Sequence, residues 1–185
     1  MRNAIRNTAA AVAVALLGIP VGTIADSDEE KGEAKNEAKE HDELSRAMRS
    51  AKVPLERGVS TAAAKEGTPI SAKYEVEKGK LQLSVYTMKG DKFSEVIVDH
   101  GTGKVTKSEP ITSGEDLTAA QEQKQAMAQA KRSLAAATTA ATKENPGYRA
   151  VSATPRMDEG HPVATVTLLK GDEWKTVTER LDGAL

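Results

Sequence analysis

The hydrophobic pattern changes from a helical to a strand period twice along the chain, in the same order each time. Leu55, Val59, Ala62 and Ala63 recur at three- and four-residue intervals, which makes one apolar stripe of a helix. Pro54 suits the first turn, where a missing amide sacrifices no intrahelical hydrogen bond. Gly67-Thr68-Pro69 ends the helix, since Gly is favoured just past a helix and Pro cannot continue it. From Ile70 the pattern alternates. Ala72, Tyr74 and Val76 form one strand, Gly79 a turn, Leu81, Leu83 and Val85 a second strand, Lys89-Gly90-Asp91 another turn, and Phe93, Val96 and Val98 a third strand. Ahead of Pro54, the residues Leu44, Ala47, Met48 and Ala51 predict a separate short helical segment.

A second series follows. Leu117, Ala120, Met127, Ala130, Leu134, Ala137 and Ala141 predict one longer helix stopped by Asn145-Pro146-Gly147. Strands then run from Val151, from Val163 to Leu169 and from Trp174 to Leu181, with a turn at Asp158-Glu159-Gly160. Leu134 lies 79 residues after Leu55, while Gly171 lies 81 after Gly90 and Trp174 lies 81 after Phe93. A duplication with a two-residue insertion near Asn145-Pro146 accounts for all of these. The expected fold is α+β: tandem units of a helix packed on a three-stranded antiparallel sheet, the first over residues 44–112 and the second over 113–185. Below roughly 70–80 residues one hydrophobic core supplies only ~3–5 kcal/mol, so each unit would gain from packing on the other. The pattern leaves open whether they pack or sit as separate beads.

The first 25 residues predict a signal peptide. Arg2 and Arg6 give a positive start, Ala9 to Leu17 an apolar run, and Thr23-Ile24-Ala25 a small-residue cleavage site, so the mature chain is expected to begin at Asp26. The apolar run is shorter than the roughly 20 residues that span a bilayer, and no membrane span is expected after cleavage. Residues 26–43, rich in Glu, Lys and Ala, predict an acidic leader that is disordered or loosely helical. The formal charge of -1 provides no basic field for nucleic acid. With no cysteine in the chain there are no disulfides, although an oxidising compartment would permit them.

Candidate chemistry is sparse. The chain has no thiol nucleophile, no Gly-x-Ser-x-Gly elbow and no His-Glu-x-x-His helix. Gly101-Thr102-Gly103-Lys104 looks like a piece of a phosphate loop, but Val98 and Val105 stand where Gly and Ser or Thr are needed, and a β-turn is expected. His100 and His161 both flank turns and are read as ordinary turn histidines; the alternative is a metal shared between the copies with Asp99 or Asp158. No catalytic group, cofactor or metal is assigned. Phe93 and Trp174 follow equivalent Lys-Gly-Asp turns in a chain with 3% aromatic residues. They are read as core anchors, with exposed partner contacts as the alternative.

The helix entry Val53-Pro54-Leu55-Glu56 with Ala62, the turn at Glu66-Gly67, the paired strands and the closing Val98-Asp99-His100-Gly101-Thr102-Gly103-Lys104-Val105 resemble the PepSY domains, over roughly residues 51 to 107. In the closing motif Asp99 is expected to accept backbone amides, Thr102 to belong to the turn, and Gly103 to take a positive φ. The second copy departs from the pattern, because Leu181-Asp182-Gly183 lacks the Thr-Gly pair. The resemblance implies an extracytoplasmic, non-enzymatic protein that binds protein partners and inhibits or escorts a peptidase, and the expected signal peptide makes it a periplasmic or secreted protein of a bacterium. A sensory or scaffolding module of the cell envelope is the alternative. Monomer and dimer are left equally open.

Overall fold

The computed structural model describes residues 27–183; the expected signal peptide lies outside them. In chain order the elements are α1 (Ser27–Met48), α2 (Leu55–Glu66), β1 (Thr68–Glu77), β2 (Lys80–Lys89), β3 (Lys92–Val98), β4 (Val105–Ile111), α3 (Gly114–Ala128), α4 (Leu134–Glu144), β5 (Arg149–Asp158), β6 (His161–Lys170) and β7 (Glu173–Arg180). The α+β class holds. The two three-stranded sheets, whose packing the pattern left open, are joined in one antiparallel sheet of seven strands, ordered β4-β3-β2-β1-β5-β6-β7. The fourth strand of the first half, β4, was not expected. Its pattern is exposed almost throughout, so it carries no hydrophobic alternation for a sequence reading to detect.

The halves join where β1 meets β5, with Ala72 opposite Ala153 and Lys73 opposite Ser152. Ala153 is the residue 81 positions after Ala72. Equivalent residues therefore face each other across a pseudo-twofold axis, as in a two-fold dimer interface made within one chain. Pro155 helps explain why this ladder is short. The amide of Leu181 bonds to the carbonyl of Pro162, and alternation from that pair across β6 and β5 puts the missing amide of Pro155 on the β1 side. It costs the β5–β6 ladder nothing and cannot extend the β1–β5 one.

The duplication is visible in detail. Bulges occur at Pro69/Ser71 in β1 and at Ala150/Ser152 in β5, and among the described residues the non-glycine ones with positive φ are Lys78 and Glu159. The amides of Lys52 and Val53 both bond to the carbonyl of His100, and those of Lys131 and Arg132 both bond to that of Leu181. Each correspondence keeps the shift of 79 before the insertion and 81 after it.

Strand alternation sorts the helices onto two faces. On the front, α2 and α4 pack on Ala72, Leu83, Val85, Val96, Ala153, Ala164 and Val166, together with Leu55, Val59, Ala62, Leu134, Ala137 and Ala141, in a single core spanning both copies. On the back, α1 and α3 cross between the copies. α3 belongs to the second copy in sequence but buries Phe93 and Ile70 of the first through Ala120, and Lys124 reaches Asp91 at 2.5 Å. α1 makes the reciprocal crossing: His41 stacks on Trp174 with ring centroids 4.3 Å apart, and the Ser45 hydroxyl donates to Asp172 at 2.8 Å. His41 and Ala120 are 79 apart, as are Ser45 and Lys124, while Asp91 and Asp172 are 81 apart.

The acidic leader, expected to be disordered or loosely helical, is helical from Ser27, and the separate short helix expected around Leu44, Ala47 and Met48 is the end of that same helix. Its Ala, Glu and Lys content has high helix propensity, and Met48, Ser45 and Leu44 anchor its end against the sheet. The long second helix is two, broken between Ala128 and Leu134. Ser133 caps the later one by accepting the Ala136 amide at 3.2 Å, and the Leu181 carbonyl holds the preceding amides.

Gly58 makes a close approach possible: a Cβ there would overlap the Cδ2 of buried Leu83. At the equivalent positions the second copy has Ala137 and Ala164, the same space shared differently. Gly58→Ala is expected to lose about 1–3 kcal/mol to overpacking, less ~1 kcal/mol of helix propensity. Leu83→Ala is expected to lose about 2–5 kcal/mol to a cavity. The double variant should lose less than the two added together by at least ~0.5 kcal/mol. Urea titrations of the four proteins measure this coupling, and strict additivity would disprove the shared-volume reading.

Candidate functional site

The closing motif of the first copy is built around one carboxylate. Asp99 Oδ1 accepts the Thr102 amide at 2.6 Å, the Thr102 hydroxyl at 2.7 Å and the Gly101 amide at 3.1 Å. These bonds, the Thr102 hydroxyl first, hold the Asp99 carboxyl below the ordinary carboxylate range. The main chain closes the same turn, Gly103 N donating to Asp99 O and Asp99 N to Lys104 O, both at 2.8 Å. Gly103 has a φ of 76°, which a side chain would strain. Asp99, Thr102 and Gly103 thus form the turn expected of them. Its evident physical role is a clasp, because the next carbonyl, that of His100, receives Lys52 N at 2.9 Å and Val53 N at 3.0 Å. The Tyr74 hydroxyl donates to the Val53 carbonyl beneath it. In this buried setting the Tyr74 phenol is pushed up to about 12, chiefly by burial.

Beside the clasp lies a shallow, open groove of about 690 Å³, where Ala47 of α1 and Ser50 in the turn after it face Gly79, Gln82, Ile97 and His100. His100 Nδ1 is buried and has no hydrogen-bond partner among the described residues. The described residues at the end of the second copy are held differently. There Arg180 binds Asp182 through two contacts of 2.8 and 2.9 Å, and His161 Nδ1 lies 2.8 Å from Asp182. Arg180 first, then His161, lowers the Asp182 carboxyl far below its usual range.

The topology separates the candidate histidines. β3 ends at the same end of the sheet as β1, whereas β6 starts at the opposite end, so His100 and His161 do not meet. His161 takes Asp182, not Asp158, as its partner. Among the described residues, no group of three or more His, Asp and Glu stands placed for a metal ion. Phe93 is 5% exposed beneath α3, the placement of a core anchor. Trp174 is half-buried and covered by His41.

A polar cluster on the back of the first copy was missed. The Ser84 hydroxyl donates to Glu75 at 2.7 Å and receives Gln82 at 2.9 Å, Lys73 pairs with Glu75 at 2.7 Å, and the Lys73 ammonium lies 5.8 Å from the centre of the Tyr86 ring. Burial first, with Glu95 next, pushes the Tyr86 hydroxyl far above its ordinary range, and burial raises the carboxyl of Glu95. The only signal in the sequence was alternation itself, since Lys73, Glu75, Gln82, Ser84, Tyr86 and Glu95 all take the face opposite Ala72, Leu83, Val85 and Val96. A raised folded-state value means the folded protein binds the proton more tightly than the unfolded chain. Stability contributed by the protonated form is therefore present at low pH and lost as pH rises through the folded value. Glu95→Gln is expected to raise the denaturation midpoint at neutral pH and leave it unchanged well below the ordinary value of 4.5. An equal effect at both pH values would contradict the assignment.

No helix among the described residues is long and apolar enough to cross a membrane. No protein-family model and no curated protein matches the chain. Among solved structures, a crystal structure of a putative lipoprotein from Clostridium difficile 630 is similar at 16% identity and a TM-score of 0.38, over 71% of this chain and 88% of that one. A likeness of that size does not establish a shared fold.

Proposed function

We propose that this chain is an exported, non-catalytic protein-binding module that occludes or escorts an extracytoplasmic peptidase. The export part rests on the charged start, apolar run and small-residue site of residues 1–25. The observation that carries the binding part is a convergence. The two sequence pieces that resemble PepSY domains, Val53–Glu56 and Val98–Val105, are distant in the chain yet clasped together by the His100 carbonyl. The groove beside that clasp, with the exposed turn at its rim, is the surface we assign to the partner.

The test is inhibition. The purified chain, titrated against peptidases recovered from the envelope and secreted fractions of its own organism, is expected to reduce the activity of one of them near stoichiometric ratio. An Asp99→Ala, Thr102→Ala variant that keeps its circular dichroism should inhibit less. No effect on any of these peptidases counts against the reading, and stable capture of a non-peptidase envelope protein instead transfers support to the scaffolding alternative.

A further inference from the structure

The two outer strands of the sheet are unlike each other. β4 carries Pro110, lies beside a register irregularity at Ile97/Val98, and satisfies Lys107 with Glu109 of the same strand at 2.7 Å. Proline and irregular pairing are features by which proteins block the addition of a further strand. β7 has neither: its eight residues contain no proline or glycine and pair with β6 without a break. Because Leu181 N bonds inward to Pro162 O, alternation turns the amides and carbonyls of Trp174, Thr176, Thr178 and Arg180 outward, away from β6. Thr176, Thr178 and Arg180 are exposed. The Arg180 carbonyl already accepts one bond, from Arg132 at 3.0 Å.

We propose that β7 pairs antiparallel with β7 of a second copy of this chain, centred on Val177, to make a two-fold dimer with one continuous sheet. The strand is complementary to itself in that register. Thr176 falls opposite Thr178 and Trp174 opposite Arg180, so every outward-facing amide and carbonyl meets another. Lys175 falls opposite Glu179, in a pair of the kind that brings side chains closest. Glu179 is 9% exposed, and its one ion pair among the described residues, to Arg132, is long at 3.5 Å. A lysine from the second copy would supply the closer partner that a buried carboxylate needs. Moving the register by one residue to centre on Thr176 would instead set Glu173 against Glu179, two like charges. On the back face the row Thr154–Thr165–Thr178 would continue into Thr176, Thr167 and Ser152 of the second copy. The chain already makes one such joint internally, where Ala72 meets Ala153.

Sedimentation velocity of the full chain, up to roughly 1 mM to include weak association, is expected to show twice the monomer mass. Thr178→Pro removes an outward amide and no internal bond, and Lys175→Glu sets like charges across the joint. Both should remain monomeric with unchanged circular dichroism. The chain has no cysteine, so Val177→Cys gives a clean readout of register: facing Cα atoms in such a pair lie about 4.5 Å apart, within disulfide reach. The variant should oxidise to a covalent dimer, while Thr106→Cys on β4 should not. A monomer at every concentration, a dimer that survives both edge variants, or a Val177→Cys chain that stays unlinked would overturn the proposal.

Discussion

Residues 1–112 and 113–185, produced as two separate chains, are expected to remain unfolded apart and to recover the sheet when mixed. Each half lacks what the other supplies on both faces. Without the second half, Phe93 and Ile70 lose α3, β1 loses its neighbour β5, and α2 loses the core it shares with α4. Without the first half, Trp174 loses His41 and Asp172 loses Ser45. Below about 70–80 residues a single core contributes only ~3–5 kcal/mol, and removing half of its walls leaves nothing to offset the ordering entropy. Circular dichroism with thermal melting of each half and of the mixture checks this. A cooperative melt of either half alone would show that the crossing helices are decoration.

The second large effect comes from the pair of leucines that begin α2 and α4. Leu55 and Leu134 are each 1% exposed and occupy equivalent places on the front face. Leu55→Ala and Leu134→Ala are each expected to cost about 2–5 kcal/mol, the transfer of the side chain plus the cavity it leaves. For a domain of this size that lowers the melting temperature by ~2–4 °C per kcal/mol. The shape of the transition matters more than its size. Since both leucines belong to one core, either substitution should shift the whole melt as seen by far-ultraviolet dichroism and by Trp174 fluorescence together. Divergence of the two probes, with only one moving, would mean that the copies unfold separately.

The sequence shows each helix and strand that carries an apolar period of its own. Leu55–Ala62 and the strands around Leu83, Val96, Val166 and Val177 lie where their spacing puts them, because burial on one face imposes that spacing. What was not legible depended on contacts from far along the chain. β4 has apolar residues packed on the cores only near its ends, at Val105 and Ile111, and its one sheet neighbour is β3. The break before α4 has its equivalent in the first copy, since Ser133 lies 79 residues after Pro54. The duplication thus offered the signal, and a run of helix-favouring alanines concealed it. The crossing of α1 and α3 could not be read at all. A stripe of Ala and Gln shows that something is covered, not which copy supplies it. At the candidate site, Asp99, Thr102 and Gly103 were readable because a turn is local chemistry. The groove, the buried His100 nitrogen and the cluster around Ser84 arise only when strands distant in sequence are laid side by side.

With one sheet and one core between them, the duplicated halves are expected to form one cooperative body. Differential scanning calorimetry of the full chain tests it most directly, by comparing the calorimetric enthalpy with the van't Hoff enthalpy of the same transition. One transition with the two enthalpies equal is the predicted result. Two resolved transitions, or a calorimetric enthalpy about twice the van't Hoff value, would mean two independently folding units and contradict it.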